Sequence, residues 1–225
     1  MTFKLRELAE EFRTVFAGRG NLVDSILPPV IFLIINAIWD LEYATWGSLA
    51  LALLIALFRL GRGQPLRYAF GGLGGVIVAI LLARLLDRAE GYFVPNIVTG
   101  VLTIIACGVS IAAGKPLVAW TSYLTRRWPL DWYWHPRVRP AYTEVTAAWA
   151  IFFTLRLLLQ LFFFQSEQAS ALAIINIVTG WPATILLLAL SYLYGQWRLQ
   201  HLRGPSVEEF KAGVEPPWSG QRRGF

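Results

Sequence analysis

Arg156 stands in the middle of an apolar run, Trp149 to Phe164, with Gln160 one helical turn further along the same face. Arginine stays protonated inside proteins. A charge at the bilayer centre costs about 2.5–3.5 kcal/mol on insertion scales unless it is paired or reaches water. Two chemistries satisfy such a cation. One is contact with an anion or substrate. The other is a structural role, in which Arg156 snorkels to Asp40, Asp87 or Glu90 or caps backbone carbonyls. Asn36, Asn96 and Asn176 are candidates to line the same interior, and each can equally make an interhelical hydrogen bond. Proton relay finds few candidates, because no Asp, Glu or His lies deep in any apolar run. A proton-coupled pathway normally places carboxylates within itself.

A second concentration of chemistry is Asp131-Trp-Tyr-Trp-His-Pro136, in a loop that also carries Trp128. Trp128, Trp132, Tyr133 and Trp134 read as headgroup-level anchors, since their rings are amphipathic. The sharper alternatives are that His135 ligates a pigment or haem, or that the loop docks a protein partner. His135 and His201 are the only histidines and Cys107 the only cysteine, so no zinc or di-metal spacing exists. No resident cofactor is expected, with pigment or haem left open. Gly71 and Gly75 form G-x-x-x-G, a helix-packing device rather than a phosphate loop. Serine-nucleophile and zinc-protease motifs are absent, which points away from an enzyme and leaves open one with a dispersed site.

Composition supplies the solvent for these residues. The chain is 56% hydrophobic and 15% charged, with a mean hydropathy of +0.52; soluble domains average about 25% charged residues. Six apolar segments, at roughly 24–41, 44–60, 69–87, 95–113, 145–165 and 172–194, are long enough to span or nearly span the bilayer. The flank of the first carries Glu7, Glu10 and Glu11 and no A-x-A site follows it, so it is expected to be retained. In this topology 17 of the 20 Lys and Arg residues fall on one side, five of them in the long fourth loop at Lys115, Arg126, Arg127, Arg137 and Arg139. Both termini are therefore expected in the cytoplasm. The net charge of +6 follows these loops and gives no reason to expect nucleic acid.

The word N-I-V-T-G occurs twice, at Asn96–Gly100 and Asn176–Gly180. Its surroundings repeat as well. Gly63-Gln-Pro-Leu66 follows the second segment and Gly114-Lys-Pro-Leu117 the fourth. Asn96, Thr99, Thr103 and Cys107 align with Thr45, Ser48, Ala52 and Ala56, and with Asn176, Thr179 and Ala183. Their spacing puts each set on one helix face, where small and hydroxyl residues allow close helix approach. Three two-helix units repeated in parallel are the expected arrangement.

Several runs carry a family resemblance over roughly residues 21–200. They are Leu27-Pro28, Gln64-Pro-Leu-Arg-Tyr-Ala69, Lys115-Pro-Leu-Val118, Arg139-Pro-Ala-Tyr142, the Trp149–Gln160 segment and Gly180-Trp-Pro182. The sequence resembles an uncharacterised bacterial domain-of-unknown-function family of six-span membrane proteins. More distantly, Leu27-Pro28, Lys-Pro-Leu and Ala148-Trp-Ala-Ile-Phe-Phe153 are similar to the inner-membrane intracellular septation protein A family, which implies an envelope or division role.

The expected fold is thus all-α and integral to a membrane, with six transmembrane helices over 21–200 as three parallel hairpin repeats. A cytoplasmic amphipathic helix precedes it at 1–20, with Leu5, Leu8, Phe12, Val15 and Phe16 on one face. A cytoplasmic tail follows at 201–225, rich in Gly and Pro and disordered if left free. The expected role is non-catalytic, an accessory or scaffold subunit of a membrane or envelope assembly in the bacterial inner membrane. It would meet lipid, and a protein partner or second copy through the loop and termini. The alternatives are a small-solute or anion permease with Arg156 at the repeat axis, and a pigment- or haem-binding subunit.

Overall fold

A computed structural model describes residues 22–63, 66–221, 224 and 225, so the amphipathic segment expected at 1–20 lies outside the described residues. No strand occurs among them. The chain packs as two units, one ending at Pro95 and one beginning at Asn96.

In the first unit, α1 (Leu22–Ile38) packs on α2 (Leu41–Gly61), and α2 on α3 (Leu66–Leu85). Asp40 starts α2 by accepting the Glu42 and Tyr43 N–H groups at 2.9 and 3.0 Å. Ala44, Thr45, Ser48, Ala52 and Ala56 form the buried face of α2, narrow enough for close helix approach. The hydroxyls on that face are satisfied locally, Thr45 donating to Leu41 O at 2.7 Å and Ser48 to Thr45 O at 3.1 Å. A 3₁₀ turn, Ala89–Phe93, then folds onto α3, and the Tyr92 ring stacks on Phe32 at 4.3 Å. Gly91 is required there, because a Cβ would stand 2.7 Å from both Ala83 Cα and Leu82 O.

The second unit contains α4 (Val94–Ala112, its bulk beyond Pro95), α5 (Leu117–Arg126), α6 (Leu130–Trp134), α7 (Arg139–Gln165), α8 (Ala169–Val178), α9 (Trp181–Leu202) and α10 (Val207–Lys211). α7 presents Ile151, Leu155, Leu158 and Phe162 outward along one stripe while Gln160 is buried. An apolar exterior over a polar interior is the arrangement that lipid solvent selects. Four stretches are long and apolar enough to cross a membrane: Leu41–Gly61, Ala89–Ala112, Arg139–Gln165 and Ala169–Leu202. Leu27–Ile38 and Gly71–Leu85 are shorter apolar helices. The chain has the make-up of a multi-pass membrane protein.

Three features depart from the sequence expectation. The segment expected as one helix over 172–194 is two helices, α8 and α9, interrupted at Thr179–Gly180. Pro182 explains the break: inside a continuous helix it lacks an N–H and its ring meets the carbonyl of Val178. At the first turn of α9 it is well tolerated. The long loop holds two helices, α5 and α6, which the sequence reading does not place. The described residues beyond Leu202 are folded, α10 among them.

Gly91→Ala is expected to lower stability by about 1–3 kcal/mol, the usual cost of overpacking. Gly108→Ala, where no neighbour stands within 4 Å, is expected to stay within about 1 kcal/mol of wild type. Melting temperatures of the two purified variants check this.

Candidate functional site

α7 and α8 bring Arg156, Gln160 and Asn176 together. Asn176 Nδ2 donates to Leu172 O one turn back at 2.8 Å, which fixes the amide with its oxygen facing α7. That oxygen accepts from Gln160 Nε2 at 2.7 Å and, at a longer 3.4 Å, from Arg156 Nη2. Gln160 must therefore present its NH₂ to Asn176, which leaves its own carbonyl oxygen facing elsewhere. Gln160 is 0% exposed, and its Oε1 has no hydrogen-bond partner among the described residues. Arg156 Nε is buried and equally without one. Among the described residues of the second unit no carboxylate is paired with Arg156, and its hydrogen bond goes to Asn176. A Cβ on Gly100 of α4 would lie 3.8 Å from Gln160 Oε1, so the α4 backbone walls that side. The interruption at Thr179–Gly180 lies one turn beyond Asn176, and a Cβ on Gly180 would stand 2.5 Å from Asn176 O.

Asn36 is half-buried on α1 in the first unit, and Asn96 is exposed in the first turn of α4. Ser48 is buried on α2. On α4 Thr99 is exposed, and Thr103 returns its hydroxyl to Thr99 O at 2.8 Å. Thr179 does the same to Ile175 O at 2.6 Å. Gly71 and Gly75 are exposed, and a Cβ added at either would meet nothing within 4 Å, so their G-x-x-x-G packs no helix among the described residues of the first unit. The buried face of α3 lies nearer its end, at Ala79, Ile80 and Ala83.

The aromatic loop is the larger surprise. Trp132 and Tyr133 are fully buried, which replaces the headgroup-anchor reading for these two rings. The tail covers them. Trp132 Nε1 donates to Pro205 O at 2.9 Å, and Phe225 stacks on Tyr142 at 4.3 Å. Arg126 donates through Nε to Phe225 O at 3.0 Å, and its guanidinium lies 5.0 Å from the Trp128 ring centre. Tyr133 Oη pairs with Ser122 Oγ at 3.2 Å, and burial pushes its phenol above the usual range. Trp128 and Trp134 are half-buried, while Trp120 and Leu124 of α5 stay exposed. His135 closes α6; its Nδ1 accepts the Arg137 N–H at 3.2 Å, and its ring meets Trp218 edge-on at 5.2 Å. Burial first, and the Arg137 charge second, lower its pKa below the ordinary histidine value.

The tail is itself built locally. Ser206 opens α10 with a capping box whose partner is Glu209. Glu209 also accepts the Ser219 N–H at 3.0 Å, and Gln221 Oε1 accepts the Val207 N–H at 3.3 Å. Nearby, Glu144 of α7 holds Arg198 of α9 through two 2.8 Å contacts and accepts the Tyr194 hydroxyl at 2.7 Å. Among the described residues, no three His, Cys, Asp or Glu are grouped to hold a metal ion.

A family model described as protein of unknown function DUF3159 matches residues 16–200. The chain belongs to that family. The match covers both the polar cluster and the aromatic loop of this DUF3159 member and stops before the tail that buries the loop. Comparisons with curated proteins and with solved structures return no match.

Sequence reasoning named every member of the polar cluster and missed the docked tail. Its one local signal was Ser206-Val-Glu-Glu209, a capping-box spacing.

Trp132→Phe keeps a ring and removes the donor to Pro205 O. The expected loss is about 1–3 kcal/mol of tail docking, read as faster proteolysis beyond residue 204. A pH effect follows from Glu209, whose carboxylate is held down to about 2 by the Ser206 and Ser219 backbone N–H groups. Its folded value lies below the ordinary value of about 4.3. The contribution is therefore complete above that pH and is lost as pH falls from about 4.5 towards 2. Tail proteolysis by an acid-active protease should rise across that window, and Glu209→Gln should flatten the rise.

Proposed function

We propose that this DUF3159 member is a non-catalytic scaffold or accessory subunit of a membrane or envelope assembly. Its six apolar segments act as three parallel two-helix units in a bacterial inner membrane, with both termini cytoplasmic. The observation that carries this reading is the folded module formed by α5, α6 and the tail. It turns a basic, aromatic loop into a fixed surface on which Trp120 and Leu124 remain exposed. The excess of Lys and Arg on that side supports a cytoplasmic position. Site-specific photo-crosslinking from position 124 in native membranes tests the proposal. A discrete higher-mass adduct, lost on Trp120→Ala, is the expected result. A protein that stays monomeric after mild extraction, and yields no adduct, overturns it.

The second reading is conduction of a small anion or solute past Arg156. It is favoured by a cation whose hydrogen bond goes to an amide instead of a carboxylate, beside an interrupted helix. Interrupted helices at membrane depth are tolerated where protein or a hydrated path satisfies the freed backbone. Uptake into proteoliposomes, with Arg156→Ala reducing the rate at least about tenfold, is the expected outcome for loss of a charged contact. No uptake across a broad anion and solute panel removes this reading.

A further inference from the structure

The unspent valences around Asn176 differ in sign. Arg156 Nε is a buried donor with no acceptor, and Gln160 Oε1 is a buried acceptor with no donor, among the described residues. They lie one turn apart on α7, and both side chains are tied to the same Asn176 oxygen. A water molecule can serve Gln160 Oε1, but it brings no charge to the guanidinium. A bare anion such as nitrate serves the guanidinium and gives Gln160 nothing. A ligand that answers both is an oxyanion that carries its own O–H: its oxygens accept from Arg156, and its hydroxyl donates to Gln160.

We propose that Arg156, Gln160 and Asn176 form a binding site for a small protonated oxyanion, of the bicarbonate or hydrogen-phosphate type. Arg156 supplies charge, Gln160 reads the O–H, and Asn176 positions both side chains. Gly100 keeps the wall beside Gln160 Oε1 free of a side chain. The site lies about 10 Å along α8 from Ala169. A phosphomonoester lipid headgroup offers the same chemistry as a free ion. The inference rests on the premise of the conduction reading, that Arg156 meets an anion, and goes beyond it by naming the ligand class. Binding and uptake are measured separately, so saturable binding without uptake removes conduction and leaves the site.

The test uses the full chain in phosphatidylcholine nanodiscs, titrated calorimetrically with bicarbonate, inorganic phosphate and nitrate. Bicarbonate or phosphate is expected to bind at least about tenfold more tightly than nitrate, the discrimination that one buried hydrogen bond provides. Arg156→Gln is expected to abolish binding of all three. Gln160→Met is expected to keep nitrate affinity and bring the ratio to within about twofold. Phosphatidic acid added to the discs weakens apparent bicarbonate binding if the ligand comes from lipid, and leaves it unchanged if the ligand is a free ion; both results keep the assigned chemistry. Equal affinities in the wild type, no saturable binding, or an unaltered ratio in a folded Gln160→Met overturns the proposal. The wild-type ratio decides even if a variant fails to fold.

Discussion

A hydroxyl or amide taken out of water must find its partner within the chain, and that requirement decides where polar residues stand along these helices. Most hydroxyls meet it by turning back to a carbonyl one turn earlier, as Thr45, Thr103, Thr154 and Thr179 do. Three do more. Ser110, Thr146 and Ser191 donate to their own helices and accept from Leu117 N, Val118 N and Trp149 Nε1. Each thereby pins a second element with one side chain. Against that background, the unmet atoms of Arg156 and Gln160 stand out as a shared deficit in one place.

The second unit sorts its apolar residues in two opposite ways. Along α7, large side chains such as Ile151 and Leu158 point outward, as helices in lipid require. Around α6 three large rings turn inward, and Trp132, Tyr133 and Tyr142 form a core of the kind found in water-soluble domains. The Glu144–Arg198 contact lies where these regimes meet, joining α7 to α9. A membrane-embedded part and a small folded cap therefore share two continuous helices.

Residue types exposed the polar cluster because charge in an apolar run is legible one residue at a time. Arg156 and Gln160 share a helix, so their spacing placed them together, and Asn176 was marked by its repeated word. The small stripe of α2 was equally readable as Thr45, Ser48, Ala52 and Ala56. Contacts between distant segments were not. Nothing in Trp132 announces Pro205, and Phe225 gives no local hint of Tyr142. The interruption after Asn176 had its cue in Gly180-Trp-Pro182, which hydropathy alone smooths over because Trp and the flanking residues are apolar. The same five-residue word opens a helix after Pro95 and ends one before Pro182, so identical letters serve opposite ends of a helix.

The 73-residue separation between Trp132 and the carbonyl that caps it sets an order of events during synthesis. The loop emerges first, α7, α8 and α9 follow, and only then does the segment that covers it leave the ribosome. Throughout that interval the indole lacks its final cover. Closure of the cap thus reports that α7, α8 and α9 have already been made, and a chain truncated before Pro205 presents the same rings to whatever surveys unfinished membrane proteins.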